Sequence, residues 1–417
     1  MFLKMWFSLA RQRTQENRWV VHSVLALFMV WGYLQALLGI RRGAVKALSQ
    51  VHRTARWLWM KKLAESYTIA NCDAFCSRSE PTANPKLKTY FGNRLMVLKS
   101  PAENGEKGVL FVMVTDTIRW LYSGMNLRRL LDDYTLVFEP SWSGYCHADY
   151  LQYTHWRDEI FVLSAEKDDF AFLTKLNSNL VPVDLGPCDW VDSRTAVPFL
   201  KKLKEFDIIM NSNWGSWKRH YVLFSMLKTA HRRYKVALIG VRWSGKTRED
   251  IEQLADYYGV ASQITIYDWI PYEQVMDLTC RSRVSILLSL KEGSNRAIAE
   301  SIFCNVPVVI LSNHVGGIRK YIVPETGLMV DEAHLESAIN KLLESDIHPR
   351  KWGLEYVSCF KSTEKLNAVL RKYSQRQGRP WTEDIVVRSN SPDSCYVDAG
   401  DAERLTPWNE KLKDYLR

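Results

Sequence analysis

Residues 284–310 read VSILLSLKEGSNRAIAESIFCNVPVVI, and the rest of the chain can be ordered around them. Residues 284–290 are apolar without alternation, the pattern of a strand covered on both faces in a parallel sheet. The run stops at Lys291, Glu292, Gly293 and Ser294. Ser294 suits an N-cap, which predicts a helix from near Asn295 with Ala297, Ile298, Ser301 and Ile302 on one face. Asn305 and Pro307 end it, and the apolar run 306–311 returns as another buried strand. Units of this kind bind ligands at the carboxyl ends of their strands.

Glu292 in the loop and Glu300 on the helix have the spacing E-x7-E. Gly293 permits close approach of backbone to a ligand, and the first N–H groups of the helix favour an anion there. A carboxylate has two acceptor oxygens and can take both hydroxyls of a vicinal diol. Two glutamates near a helix start also suit solvated or capping residues, so the spacing alone leaves both readings open.

The stretch resembles the retaining glycosyltransferases of family 4 (glycosyl transferases group 1), which have the GT-B fold. The resemblance runs from about residue 207 to residue 373. It implies an α/β architecture of two Rossmann-like domains facing a cleft, and transfer of a sugar from a UDP- or GDP-linked donor. It also implies roles. Glu292 would meet the donor sugar with backbone at Gly293, Ser294 and Asn295, and Glu300 would hold the nucleotide ribose. The family carries an Arg and, five residues later, a Lys that neutralise the donor diphosphate. Lys218 in the loop 211–219 falls on the Lys position. The Arg position is Asn213, a departure that removes one charge, and Arg219 is the neighbouring cation. The loop Ser312-Asn-His-Val-Gly-Gly317 corresponds to the family's glycine loop, so amides at Gly316 and Gly317 are expected near the phosphates in a nest.

A chain of 417 residues with net charge +10 is long enough for two domains. The charge is uneven. Residues 1–62 hold eleven Lys and Arg against Glu16 alone, so the remainder is near neutral. That distribution argues against nucleic acid as a partner of the body and for an anionic membrane at the N-terminus. Residues 19–40 are apolar, free of formal charge and about long enough to cross a bilayer, or to lie on it. More basic residues follow than precede them, which would place the catalytic body in the cytoplasm. Over 41–63, Ala44, Leu48, Val51, Ala55 and Leu58 form a stripe among cations, the pattern of an interfacial helix. Residues 1–70 thus read as a membrane-associated helical segment separable from the body. The eight cysteines lack a C-x-x-C pair and read as reduced thiols, and no metal motif is visible.

Residues 71–197 are expected to form the acceptor-side domain, after a polar loop over 71–93. Its strands are predicted at 95–98, 109–114, 135–138, 160–163 and 180–183, with helices over 118–131 and 168–176. Asp116 and His147 stand in loops expected to face the acceptor. Residues 198–350 form the nucleotide-sugar domain, 351–373 a single crossing helix, and 374–417 an irregular extension ending in a short helix. No cofactor beyond the donor is expected, and the expected acceptor is a glycan or a lipid-linked acceptor.

Two other readings exist. Residues 240–247, GVRWSGKT, match the P-loop pattern G-x-x-x-x-G-K-[ST] between a strand and a helix. The missing Arg at 213 also fits a catalytically silent GT-B assembly partner.

Overall fold

The structure, a computed structural model, describes residues 2–75, 91, 94–140, 148–196 and 204–417. The chain divides into two compact units. The central unit comprises residues 1–12, 187–361 and 390–392, and the amino-terminal unit residues 13–186, 362–389 and 393–417.

Four helices open the chain: α1 (Phe2–Glu16), α2 (Arg18–Leu37), α3 (Arg41–Thr54) and α4 (Leu58–Ala70). Asn17 starts α2 by accepting the Trp19 N–H, as an N-cap should. The helix expected over 41–63 is two helices. Their break is held from outside, because the N–H groups of Arg56 and Trp57 donate to Nε2 of the buried His22 at 3.0 and 3.3 Å. The stripe of Ala44, Leu48, Val51 and Ala55 is buried rather than presented to lipid. Leu48, Val51 and Ala55 pack with Leu25 and Met29 of α2 and with Met60 and Ala64 of α4. An amphipathic stripe has the same pattern whether lipid or protein covers it. Leu9 of α1 joins the apolar core of the central unit. α1 is therefore tied to the central core, whereas the core shared by α2, α3 and α4 is built among those helices themselves.

The amino-terminal unit continues with β1 (Leu95–Lys99), β2 (Gly108–Met113), α5 (Thr115–Gly124), α6 (Leu127–Asp133), β3 (Tyr134–Glu139), α7 (Ala148–Leu151), β4 (Ile160–Leu163), α8 (Lys167–Leu176) and β5 (Leu180–Val183). The helix expected over 118–131 breaks at Asn126, which caps α6 by accepting the Arg129 N–H. The sheet order is β1-β2-β3-β4-β5, with β1 antiparallel and the others parallel. Alternation of strands and helices predicts parallel crossovers, but not which edge each new strand joins. Here the strands follow sequence order and lack the reversal of a doubly wound sheet.

The central unit holds β6 (Phe206–Asn211), α9 (His220–Thr229), β7 (Val236–Gly240), α10 (Arg248–Tyr258), β8 (Ile264–Asp268), α11 (Tyr272–Cys280), β9 (Ser282–Leu287), α12 (Arg296–Phe303), β10 (Val308–Leu311), β11 (Gly327–Val330), α13 (Leu335–Leu343) and α14 (Pro349–Tyr356). Its six strands run β11-β10-β9-β6-β7-β8, all parallel. Cores on both faces explain the unbroken apolar runs of the inner strands.

The expected crossing helix is interrupted. A new helix, α15 (Cys359–Arg376), begins after Val357 and Ser358, where the Cys359 N–H is held by Val191 O at 3.1 Å. The tail expected to be irregular forms β12 (Arg388–Ser389), β13 (Cys395–Tyr396) and α16 (Ala399–Lys411). It is ordered by partners remote in sequence. Arg388 is buried against Glu139 at 3.2 Å, and Asn409 Oδ1 accepts the Val97 N–H at 2.8 Å. Cys188, Cys280, Cys304 and Cys359 are buried thiols, while Cys395 is exposed and Cys72 half-buried. Cys76 and Cys146 lie outside the described residues.

Candidate active site

Strand order in the central sheet reverses between β6 and β9, the point at which a doubly wound fold opens a crevice at the carboxyl ends of its strands. The loops leaving these two strands carry most of the expected site residues. Lys218 Nζ donates to Glu292 Oε1 at 2.6 Å, with both side chains largely buried. Asn295 Nδ2 donates to the other oxygen, Oε2, at 2.7 Å. Asn295 Oδ1 also accepts the Ala297 N–H at 3.0 Å, so Asn295 caps α12 in place of the expected Ser294. Ser294 Oγ instead accepts the Cys188 N–H at 3.0 Å and donates to the Tyr321 hydroxyl at 3.3 Å. An Asn carries its acceptor and its donor on separate atoms and so caps the helix and holds the carboxylate at once.

The glycine loop closes on the backbone of Glu292. The Glu292 N–H bonds Val315 O at 3.1 Å, and Lys291 bridges Val315. Gly316 has φ +139°, and a Cβ there would lie 1.5 Å from Glu292 O and 3.1 Å from Gly293 O. Only glycine fits at that approach. Gly317 opens a short 3₁₀ turn ending at Tyr321. Glu292, Gly293, Asn295, Lys218, Gly316 and Gly317 are thus brought together.

Other candidates are placed differently. Asn213 Oδ1 accepts the Gly215 N–H at 3.0 Å and shapes its own loop. Arg219 adopts φ +60°, which turns its side chain from the Lys218 direction. Its guanidinium bonds Glu332 Oε1 at 2.6 Å, the Tyr221 hydroxyl at 2.9 Å and Leu288 O at 3.3 Å, so it does not replace the charge missing at 213. Glu300 is fully buried on α12. Its Oε1 accepts from Ser391 Oγ at 3.2 Å and lies 3.5 Å from Arg296 Nε, while Tyr272 bonds Ser391 in turn. Burial raises the Glu300 carboxyl above the ordinary range, against the pull of Arg296, Ser391 and Tyr272. Asp116 is an exposed residue of the amino-terminal unit, 3.7 Å from Arg119, and His147 lies outside the described residues.

His314 was not singled out from sequence. It is fully buried, Nδ1 donates to Ser289 O at 2.7 Å, and Nε2 has no hydrogen-bond partner among the described residues. Burial lowers its pKa first, with Lys218 and Arg319 acting the same way and the Ser289 bond and Glu292 opposing. Its only signal in the sequence is a histidine two residues before the glycine pair. His220, beside Lys218, is likewise held neutral, its pKa lowered to about 3 by burial and then by the Lys218 charge.

Residues 240–247 do not form a phosphate cradle. Trp243 and Lys246 exchange both backbone hydrogen bonds around a turn with Ser244 at φ +51° and Gly245 at φ +77°. The Thr247 N–H goes to Asp250 Oδ2 at 3.0 Å and the Lys246 ammonium to Asp250 Oδ1 at 2.9 Å. A P-loop needs those amides and that lysine directed at phosphate, whereas here Thr247 and Asp250 form the capping box of α10 and Lys246 pairs with the same carboxylate. Among the described residues, no group of three His, Cys, Asp or Glu is placed to hold a metal ion.

Residues 194–355 match the family model described as Glycosyl transferases group 1. Among solved structures, Anabaena HepE in complex with UDP and glucose aligns with TM-score 0.50 and 11% identity, covering 63% of this chain and 78% of that one. The HepE complex with UDP gives TM-score 0.51 at 11% identity and the same coverage. Sucrose-phosphate synthase from Thermosynechococcus elongatus gives TM-score 0.50 at 14% identity, covering 64% and 74%. No curated protein matches the chain. Residues 194–355 are thus similar to the Glycosyl transferases group 1 domain, in an α/β fold shared with these structures.

Proposed function

We propose that the protein is a membrane-associated retaining glycosyltransferase that moves a sugar from a nucleotide diphosphate donor to a glycan or lipid-linked acceptor. The observation that carries the reading is the Lys218–Glu292 pair at the switch point of the central sheet, with Gly316 packed on the Glu292 backbone. HepE, which shares the fold, binds UDP and glucose, and UDP- or GDP-linked sugars are the donor class proposed here.

As the glycosidic bond to the donor breaks, negative charge builds on the departing diphosphate, and a fixed cation aimed there lowers the barrier. Lys218 supplies that cation. An ammonium has three N–H donors, so the bond to Glu292 leaves capacity for phosphate oxygens. Glu292, oriented through both oxygens, meets the sugar hydroxyls. Backbone at Gly293, Asn295, Gly316 and Gly317 completes the donor contacts. Glu300 holds the ribose once a nucleotide hydroxyl takes the place of Ser391. Asp116 and His147 stay proposals for the acceptor side, the catalytic body is placed in the cytoplasm, and no cofactor beyond the donor is invoked.

Titration calorimetry with UDP and GDP, paired with a transfer assay on the intact sugar nucleotide, tests the reading. Binding of one nucleoside diphosphate that is lost with Lys218→Ala supports it. Indifference of wild-type protein to both nucleotides would instead support a silent assembly partner.

A further inference from the structure

The outward face of α2 is apolar along its length. Trp19, Leu27, Phe28, Trp31, Leu34 and Leu37 are all exposed, Leu37 at 85% and Trp19 at 72%. The opposite face is committed to protein. His22, Leu25, Met29 and Gly32 are buried, and a Cβ on Gly32 would meet Leu48 of α3 at 2.9 Å. α3 carries Arg41, Arg42, Lys46 and Arg53 beside this seam. A bilayer-crossing α2 would have to leave α3 or take those cations into hydrocarbon, and both are costly. In this packing α2 can lie along a membrane but not through it.

One end of the apolar face has a built rim. Arg18, Arg56, Trp57, Leu58, Trp59 and Lys62 line an open depression of about 640 Å³. The buried His22 ties it together. Nδ1 donates to Arg18 O at 2.6 Å, Nε2 accepts the N–H groups of Arg56 and Trp57, and the ring stacks on Trp57 at 4.1 Å. Leu58 and Trp59 point outward, 65% and 54% exposed. Tryptophan with arginine and lysine at the border of an apolar face is the composition of a membrane interface.

We infer that α2 and the start of α4 form a monotopic docking surface for anionic phospholipid, with the apolar face of α2 in the acyl boundary and Arg18, Arg56 and Lys62 on lipid phosphates. The inference rests on the membrane reading above and replaces spanning with surface attachment. Charge complementarity selects this occupant. Residues 1–62 hold eleven cations against one acidic residue, so the surface has an electrostatic complement in an anionic leaflet and none in a second copy of itself.

The full-length protein is mixed with vesicles of phosphatidylcholine alone or with phosphatidylglycerol. Sedimentation with the anionic vesicles, weakened by salt and reduced at least about a hundredfold by the triple change Arg18→Glu, Arg56→Glu, Lys62→Glu, is expected from roughly fivefold per cation. Brominated lipids should quench tryptophan most when the bromine is near the headgroup, and protease outside the vesicles should still cut α2. A protease-protected α2 quenched from the bilayer centre overturns the surface geometry while membrane association stands. Unchanged sedimentation of the triple variant overturns the phosphate cradle. Absence of sedimentation, with dimers by light scattering, overturns both in favour of self-association. Nucleotide binding by calorimetry is followed in every variant, since these residues lie outside the donor site, and its retention separates failed docking from a misfolded protein or a failed transferase reading.

Discussion

Lys218 and Arg219 are adjacent, yet the left-handed backbone at Arg219 sends one cation to Glu292 and the other to Glu332. Lys218→Ala is therefore expected to weaken nucleoside diphosphate binding by about 1.5–3 kcal/mol, the range for a hydrogen bond to a charged group, and to depress transfer. Lys246→Ala, which removes a bond from the preceding turn to Asp250 of α10, should leave both near wild type. Calorimetry and the transfer assay read the difference, and the opposite ranking would restore the P-loop. Glu292→Ala should leave free nucleotide binding nearly unchanged but depress transfer, because contacts to the departing sugar matter most in the transition state. A pH effect belongs here too. His220 and His52 are buried, with pKa values lowered from 6.5 to about 3, in each case chiefly by burial. Between those values the unfolded chain binds the protons and the folded one does not, so stability is full above pH 6.5 and falls as pH drops toward 3. The slope approaches roughly 1.4 kcal/mol per pH unit for each histidine. Urea unfolding at pH 7 and pH 5 should show the loss, and His220→Gln should shrink it. Lys218 and Glu292 were each legible because both sit in motifs, but their pairing, across 74 residues of sequence, was not. His314 was not, since one histidine in a glycine loop has no pattern.

At the scale of elements, the glycine loop after β10 and the loop after β9 are pressed together at Gly316. Gly316→Ala cannot keep φ +139° or the contact with Glu292 O without the loop moving, and strain of this kind costs of order 1–3 kcal/mol. A lower thermal midpoint together with weaker nucleotide binding is expected; weaker stability with intact binding would show that the loop does not serve the donor. The segment 390–392 makes a second element-level case. Ser391 occupies the Glu300 oxygen that the ribose is proposed to take. Ser391→Ala should lower the midpoint of the free protein, since a buried bond is lost, while enlarging the stabilisation gained from nucleotide. Should the nucleotide-induced stabilisation shrink instead, Ser391 holds Glu300 in its working pose. Sequence placed Glu300 on a helix but could not show what covers it, because its partner lies 91 residues away.

At the scale of the whole molecule, the N-terminal helices carry the basic charge and also pack on residues of the body. Leu9 packs in the central core, and His52 of α3 lies against the buried Phe172 of α8. Deleting residues 1–62 is therefore expected to unfold or aggregate the protein instead of releasing a soluble transferase. Circular dichroism and a thermal scan of the truncated chain check this, and a cooperative unfolding transition with nucleotide binding would return these residues to the status of a tether.

The sequence by itself determined the alternation of strands and helices, the parallel sheet of the central unit, and the E-x7-E spacing with its lysine and glycine loop. These are local signals, carried by apolar runs, caps and short motifs in which every informative residue lies within one or two elements. Only the tertiary structure decided the order of strands in each sheet, the burial of the α3 stripe, the ordering of the tail by Arg388 and Asn409, and the covering of Glu300 by Ser391. Each of these is a choice of partner. Periodicity states that a face must be covered and a carboxylate satisfied, but the covering group comes from wherever the folded chain brings it, often hundreds of residues away.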